Sequence, residues 1–71
     1  MKKAIDKDFI RNLTRMRLSK GLSVQELAKK AGLSRQIIYN YESGNAFPKV
    51  EALEKLSKAL NCEKADFFKA K

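Results

Sequence analysis

Hydrophobic residues recur along this chain at the three- and four-residue spacing of amphipathic helices. Phe9, Leu13 and Met16 form the first apolar stripe and predict a helix over about residues 6–20. Asp8 lies near its start, where the helix dipole favours a negative charge. The alternation of apolar and polar residues that is typical of strands is nowhere sustained, so the pattern predicts an all-α fold.

The next helix is indicated by its cap. Ser23 and Glu26 have the spacing of a capping box, in which each side chain accepts a hydrogen bond from the backbone amide of the other residue. This motif predicts a second helix over about residues 24–31. Gly32 is suited to end that helix, since glycine adopts the left-handed conformation at little cost.

A third helix is predicted over about residues 34–43, with Ser34 at its start. Only Gly32 and Leu33 separate this serine from the helix before it. A connection this short cannot form an antiparallel hairpin, and it forces the two helices to cross steeply, as in a helix-turn-helix unit. Ala28 is the small residue that such a close crossing needs.

Two further elements follow Gly44. Valine and leucine residues repeat at helical spacing and predict a fourth helix over about residues 49–60. A short fifth helix is predicted over about residues 63–68. We therefore expect a compact all-α bundle of about five helices that contains a helix-turn-helix, and one domain over residues 1–71.

Length and composition argue against several classes of protein. A chain of 71 residues has room for one small domain and not for a large nucleotide-binding fold. Its single cysteine cannot form an internal disulfide. Histidine, the usual general base near neutral pH and the commonest zinc ligand, is absent from the sequence. We therefore expect no catalytic activity, no metal site and no cofactor.

The charge balance indicates a polyanionic partner. Lys and Arg number 16 against 8 Asp and Glu, a net charge of +8, which suits nucleic acid or an anionic membrane surface. No apolar run is long enough for a spanning helix or a signal peptide, which favours a cytoplasmic protein without a membrane partner. Much of the excess lies near the start, where it would either attract a polyanionic backbone or keep the protein soluble. The residues concerned are Lys2, Lys3, Lys7, Arg11 and Arg15.

Two motifs lie close together in the middle of the chain, GLSVQELAKKAGLS at residues 21–34 and YESG at residues 41–44. Together with Pro48 and the leucine-rich segment after it, they resemble the phage repressor and Cro (XRE-type) family of helix-turn-helix DNA-binding domains. The resemblance covers about residues 9–68. It implies a lambda-repressor-like fold and a sequence-specific transcriptional regulator, most simply a repressor, encoded by a bacterium or a phage.

The resemblance places the second helix of the pair in the major groove of double-stranded DNA, with its first residues on base edges. The matching positions are Ser34, Arg35, Gln36 and Asn40. Arginine pairs with O6 and N7 of guanine, and glutamine or asparagine with N6 and N7 of adenine, so the residue types suit this role. The alternative is an ordinary polar surface on an amphipathic helix.

Phosphate contacts are implied at the start of the pair's first helix and after its second helix. The positions in this sequence are Ser23, Gln25, Ser43, Asn45 and Lys49. The family often has glutamine where this chain has Val24, one residue before Gln25. Gln25 therefore either takes over part of that phosphate contact or the contact is absent.

The resemblance also implies an ion pair between Arg17 on the first helix and Glu42 near the end of the third. A partly buried pair of this kind holds the orientation of two helices more than it adds net stability. We expect its role to be structural.

Relatives usually dimerise on a near-palindromic operator with half-sites roughly 34 Å apart, so we expect a homodimer. Phe67 and Phe68 are the candidate dimer contacts, since two adjacent aromatic residues on one short helix cannot both face the core, and Phe47 is a further candidate. Two alternatives to a phage-type repressor stay open. One is a restriction–modification controller protein, and the other is an antitoxin that binds a protein toxin and its own promoter.

Overall fold

The computed structural model of the chain describes residues 7–69. Within that range the regular structure is entirely helical and contains no strand. The elements are α1 (Lys7–Ser19), α2 (Val24–Ala31), α3 (Arg35–Ser43), α4 (Val50–Leu60) and a 3-10 helix (Lys64–Phe68).

The predicted bundle of about five helices is slightly off in its last element, which is helical but not an α-helix. Lys64–Phe68 is a 3-10 helix of five residues, which is the usual form of so short a helical piece. Its first turn is fixed by Asp66, whose Oδ2 atom accepts from the amide of Glu63 at 3.0 Å and whose own amide donates to the Glu63 carbonyl at 2.9 Å. The described part of the chain therefore forms four α-helices and one 3-10 helix.

Helix bounds agree with the sequence prediction to within one residue. α2 spans the predicted residues. Ser34, predicted to cap the third helix, is the N-cap of α3, whereas Lys49, predicted as the first residue of the fourth helix, is instead the N-cap of α4. Lys20 lies just beyond the end of α1, and the predicted start of that helix at Asp6 lies outside the described residues.

Reciprocal capping explains why α2 is so sharply bounded. The Ser23 hydroxyl accepts from the amide of Glu26 at 3.0 Å, and the Glu26 carboxylate accepts from the amide of Ser23 at 2.8 Å. Gly32 then ends the helix with a φ of 71°, in the left-handed region where a side chain is strained. Local sequence alone thus defines this helix.

Side chains from every element meet in one hydrophobic core. α1 packs against α3 and the 3-10 helix, and α2 packs against α3 and α4, so the helix pair α2–α3 is held from two sides. The buried hydrophobic residues are Phe9, Leu13, Leu27, Ala28, Ala31, Ile38, Tyr41, Leu56, Ala59, Leu60 and Phe67.

An aromatic cluster surrounds Phe9 at one end of this core. Its ring lies 6.1 Å from that of Tyr41 and 5.7 Å from that of Phe67, within the range of favourable ring contacts. Phe67 is 0% exposed, so the prediction that it contacts a second copy is wrong, because no surface of its side chain remains for a partner. Phe68 packs its ring on Phe9 and keeps 36% of its surface exposed.

Asn12 is a buried polar residue that the sequence analysis did not single out. Its amide nitrogen donates to the carbonyl oxygens of Phe67 and Lys69, both at 2.9 Å, and its Oδ1 atom accepts from Arg15 at 2.7 Å. These bonds join the 3-10 helix and the residue after it to α1. Its position three residues after Phe9, on the apolar stripe, is the sequence signal that could have found it.

Asn12→Ala should destabilise the fold by about 1–3 kcal/mol, because it leaves two carbonyls of the 3-10 segment without their donor. The measurement is urea denaturation followed by far-ultraviolet circular dichroism. Asn45→Ala is the matched control, since Asn45 is exposed and its side chain makes no hydrogen bond within the described residues. Equal midpoints for the two variants would show that the side chain of Asn12 does not stabilise the contact between α1 and the 3-10 segment.

Candidate nucleic-acid interface

The connection between α2 and α3 fixes how α3 is presented. It contains only Gly32, Leu33 and Ser34, and the amide of Leu33 donates to the Ala28 carbonyl at 2.9 Å, which closes the end of α2. Ala28, the small residue expected at a close crossing, is buried in the core. The Ser34 hydroxyl then accepts from the amide of Ile37 at 3.1 Å and starts α3.

α3 has one buried and one exposed face. Ile38 and Tyr41 belong to the core, whereas Arg35 and Gln36 in the first turn are exposed. Asn40, one turn after Gln36, is half-buried. The face that the sequence predicted to read bases is therefore available to a partner.

Hydrogen bonds link the exposed polar side chains of this face. The Gln36 Nε2 atom donates to Asn40 Oδ1 at 3.2 Å. The Arg35 Nη1 atom lies 3.5 Å from Gln25 Oε1, a long contact that reaches from α3 back to the first turn of α2. The structure thus brings Gln25 to Arg35, a contact that the sequence analysis did not predict.

Ile37 and Tyr39, which lie between the first turn of α3 and Asn40, have different environments. Tyr39 is 52% exposed and lies on the outside of the helix. Ile37 is half-buried and packs against the core cluster. Of the two, only Tyr39 presents most of its side chain to solvent.

The predicted phosphate contacts form two groups, all of them exposed. Ser23 and Gln25 lie at the start of α2, where the Ser23 oxygen is already used in capping. The second group lies at and beyond the C-terminal end of α3, where the Ser43 hydroxyl donates to the Asn40 carbonyl at 3.3 Å. Asn45 lies in the loop that leads to α4, and Lys49 is the N-cap of that helix without a side-chain capping bond.

The structure joins Arg17 and Glu42 through two hydrogen bonds. The distances are 2.7 Å from Nε to Oε2 and 3.0 Å from Nη2 to Oε1, and both side chains are largely shielded, with 12% and 13% of their surfaces exposed. The hydrogen bonds to Glu42 raise the pKa of the Arg17 guanidinium, against the opposing effect of burial. Arg17 Nη1 also donates to the Leu22 carbonyl at 2.8 Å. One side chain therefore ties α1 to α3 and to the connection before α2.

Three of the five basic residues singled out near the start of the chain are described, and each is exposed. Arg11 pairs with Asp8 at 2.7 Å, and Arg15 donates to Asn12. Lys7 begins α1. Lys2 and Lys3 lie outside the described residues, so the choice between DNA attraction and solubility stays a prediction.

Comparison with known proteins decides the family. The sequence profile of the family described as Helix-turn-helix matches residues 13–67. The chain belongs to the helix-turn-helix family. The resemblance noted from the sequence motifs is therefore confirmed.

Solved structures of regulators have the same fold. The restriction-modification controller protein C.AhdI from Aeromonas hydrophila is 33% identical, with a TM-score of 0.82 over 86% of this chain and 92% of that one. The DNA-binding domain of SinR from Bacillus subtilis is 28% identical, with a TM-score of 0.82 over 89% of this chain and 93% of that one. SinR, described as the master regulator for biofilm formation, has also been solved in complex with DNA, at 27% identity over 86% of this chain and 98% of that one, with a TM-score of 0.82.

Curated relatives are longer than this chain. Endothelial differentiation-related factor 1 from Rattus norvegicus and that from Mus musculus are each 42% identical over 48 residues. The match covers 68% of this chain and 32% of each relative. The chain thus matches about a third of the length of these curated relatives.

Two other kinds of site are absent from residues 7–69. No three His, Cys, Asp or Glu side chains in that range are grouped so as to hold a metal ion. None of the helices there is both long enough and apolar enough to span a membrane.

Removing one partner of the Arg17–Glu42 pair should cost more stability than removing both, because a single loss leaves the other polar group partly buried without its partner. For Arg17→Met, Glu42→Gln and the double variant we expect a coupling energy of about 1–3 kcal/mol in a double-mutant cycle measured by urea denaturation. The control is the exposed pair Lys64–Glu54, at 3.3 Å, for which we expect a coupling of about 1 kcal/mol or less. Coupling no larger than that of the control would contradict the bridging role of Arg17.

Proposed function

We propose that this protein is a sequence-specific DNA-binding transcriptional regulator, most simply a repressor, that reads its operator with α3 in the major groove. The observation that carries the proposal is the exposed polar face of α3, presented by a helix-turn-helix unit whose opposite face is buried. The comparison with SinR, solved in complex with DNA, supports it.

Base reading is assigned to the first turn of α3. Arg35 carries a planar group that pairs with O6 and N7 of guanine, and Gln36 carries an amide that pairs with N6 and N7 of adenine. Both side chains are exposed on the face opposite the core residues Ile38 and Tyr41. Ser34 precedes them and keeps its hydroxyl proton available, since its oxygen acts only as the acceptor in the cap.

Backbone contacts would position this helix on the duplex. The first-turn amides of α2 and α4 offer donors to phosphates, and Lys49 adds a positive charge beside the α4 terminus. Ser43 and Asn45 lie between α3 and that terminus. The net charge of +8 would add a general attraction to the polyanion, which is lost as salt screens it.

A homodimer on a near-palindromic operator is the assembly we propose. One small domain makes few base contacts, and two copies on adjacent half-sites double them. Phe47 and Phe68, with ring centroids 6.1 Å apart and 42% and 36% of their surfaces exposed, form an apolar patch suited to a second copy.

A restriction–modification controller is the second candidate. The observation that favours it is the match to C.AhdI, which spans almost all of that chain at 33% identity. Such a role would place the operator beside the genes of a restriction–modification system. The antitoxin role stays a prediction, which a toxin gene in the same operon would support. A cytoplasmic location suits each of these roles.

Selection from random duplex DNA should enrich one sequence. The Arg35→Lys variant should select that sequence with a weaker base preference at one base pair. Lysine keeps the charge but loses the bidentate geometry, so the discrimination at that base pair should fall by about 1–3 kcal/mol while the salt dependence is unchanged.

Lys49→Ala should instead weaken binding to all sequences alike and reduce the slope of log K against log salt by about 1.

Failure of the selection to enrich any site would overturn sequence-specific binding. If Arg35→Ala weakened binding to all sequences alike, Arg35 would be a phosphate contact and not a base reader. Both outcomes are measured with the same library, whatever the sequence of the operator.

Phe68→Ser should convert a dimer to a monomer in sedimentation at micromolar concentrations, because it removes apolar surface from the proposed contact. Leu18→Ser is the matched control, since Leu18 is a large hydrophobic residue that is 61% exposed on α1 and should leave the dimer intact. Circular dichroism verifies that both variants are folded. A monomeric mass for the unaltered protein would rule out this assembly.

A further inference from the structure

Gln36 and Asn40 lie one helical turn apart on α3 and are joined by a hydrogen bond from Gln36 Nε2 to Asn40 Oδ1 at 3.2 Å. We propose that these two amides form one reading unit for a single adenine, in which Gln36 contacts the base and Asn40 is the positioning residue that orients it. This inference rests on the proposed function and assigns Asn40 a role other than direct base reading.

The hydrogen-bonding capacity of the two amides supports this division of roles. A glutamine amide has one carbonyl oxygen and two N–H donors, and Asn40 occupies one of those donors. The oxygen and the second N–H of Gln36 remain, on the same planar group. Adenine presents an N6 donor and an N7 acceptor in the major groove, which is the complementary pair.

Several hydrogen bonds hold the backbone of Asn40 in place. Its carbonyl oxygen accepts from the amides of Asn45 at 2.8 Å and Ala46 at 3.1 Å, in addition to the hydroxyl of Ser43 at 3.3 Å. These bonds anchor the position at the C-terminal end of α3. Asn40 is therefore a half-buried support on fixed backbone, whereas Gln36 is exposed.

The positions of Gln36 and Asn40 along α3 support the same division of roles. Four residues at 1.5 Å of rise place Asn40 about 6 Å further from the N-terminus of α3 than Gln36. The N-terminal residues of a recognition helix are the ones that contact base edges. Since glutamine loses much rotamer freedom on being fixed, a support that limits this freedom before binding favours the adenine contact.

The first test compares selected sites for the unaltered protein, Gln36→Ala, Asn40→Ala and the double variant. Gln36→Ala should lower the preference for adenine at one base pair by about 5- to 150-fold. Asn40→Ala keeps the backbone carbonyl and should lower the preference at that same base pair by about 1.4- to 2.3-fold. The double variant should lose no more preference at any base pair than Gln36→Ala alone, as measured by competition between labelled duplexes.

Asn40→Asp is the conservative control. Aspartate keeps an oxygen that accepts from Gln36 Nε2, so the preference for adenine should be retained, while the added negative charge weakens binding to all sequences alike. Loss of preference in Asn40→Asp as well as in Asn40→Ala would contradict the proposed orientation of the amides.

The outcomes separate this inference from the function on which it rests. If the unaltered protein enriched no site, both would fail. If a site were enriched but Asn40→Ala relaxed a different base pair from Gln36→Ala, or none, only the positioning role would fail.

A second measurement needs no DNA. The side-chain amide of Gln36 should have a higher NMR order parameter in the unaltered protein than in Asn40→Ala, because the bond to Asn40 restricts it. Equal order parameters in the two proteins would overturn the inference.

Discussion

The three residues between α2 and α3 are the constraint on which the remainder of the structure depends. A connection this short is typical of helix-turn-helix units, in which the two helices cross steeply, and the small residue Ala28 of α2 is buried in the core. Gly32 permits the turn because its φ of 71° is in the left-handed region. The crossing turns Ile38 and Tyr41 inward, and Arg35 and Gln36 are thereby turned outward.

A helix pair this small cannot hold its own geometry, and the surrounding elements supply the rest. Arg17 fixes the end of α3 to α1 through Glu42 and fixes the α1–α2 connection through the Leu22 carbonyl. Asn12 fixes the 3-10 segment to α1 in a similar way, by two backbone carbonyls. Both residues act through polar contacts, Asn12 from within the core and Arg17 from a partly buried position, and such contacts specify geometry more closely than apolar packing alone.

The positive charge is unevenly distributed along this chain. Residues 1–20 carry 7 basic and 2 acidic groups, a net +5, whereas residues 21–44 carry 3 basic and 2 acidic groups, a net +1. The excess positive charge thus lies mostly outside the helix pair. The exposed surface of α3 is mostly polar, and in the proposed function its hydrogen-bonding groups distinguish one base from another.

The sequence by itself determined the features that depend on neighbours along the chain. The bounds of α2 follow from Ser23, Glu26 and Gly32, whose bonds span three or four residues, and the exposed face of α3 follows from helical periodicity. Only the tertiary structure decided which of two adjacent phenylalanines is buried, because Phe67 reaches Phe9 across 58 residues of sequence. It likewise decided the role of Asn12, whose partners are 55 and 57 residues away, since such contacts exist only once the core has formed.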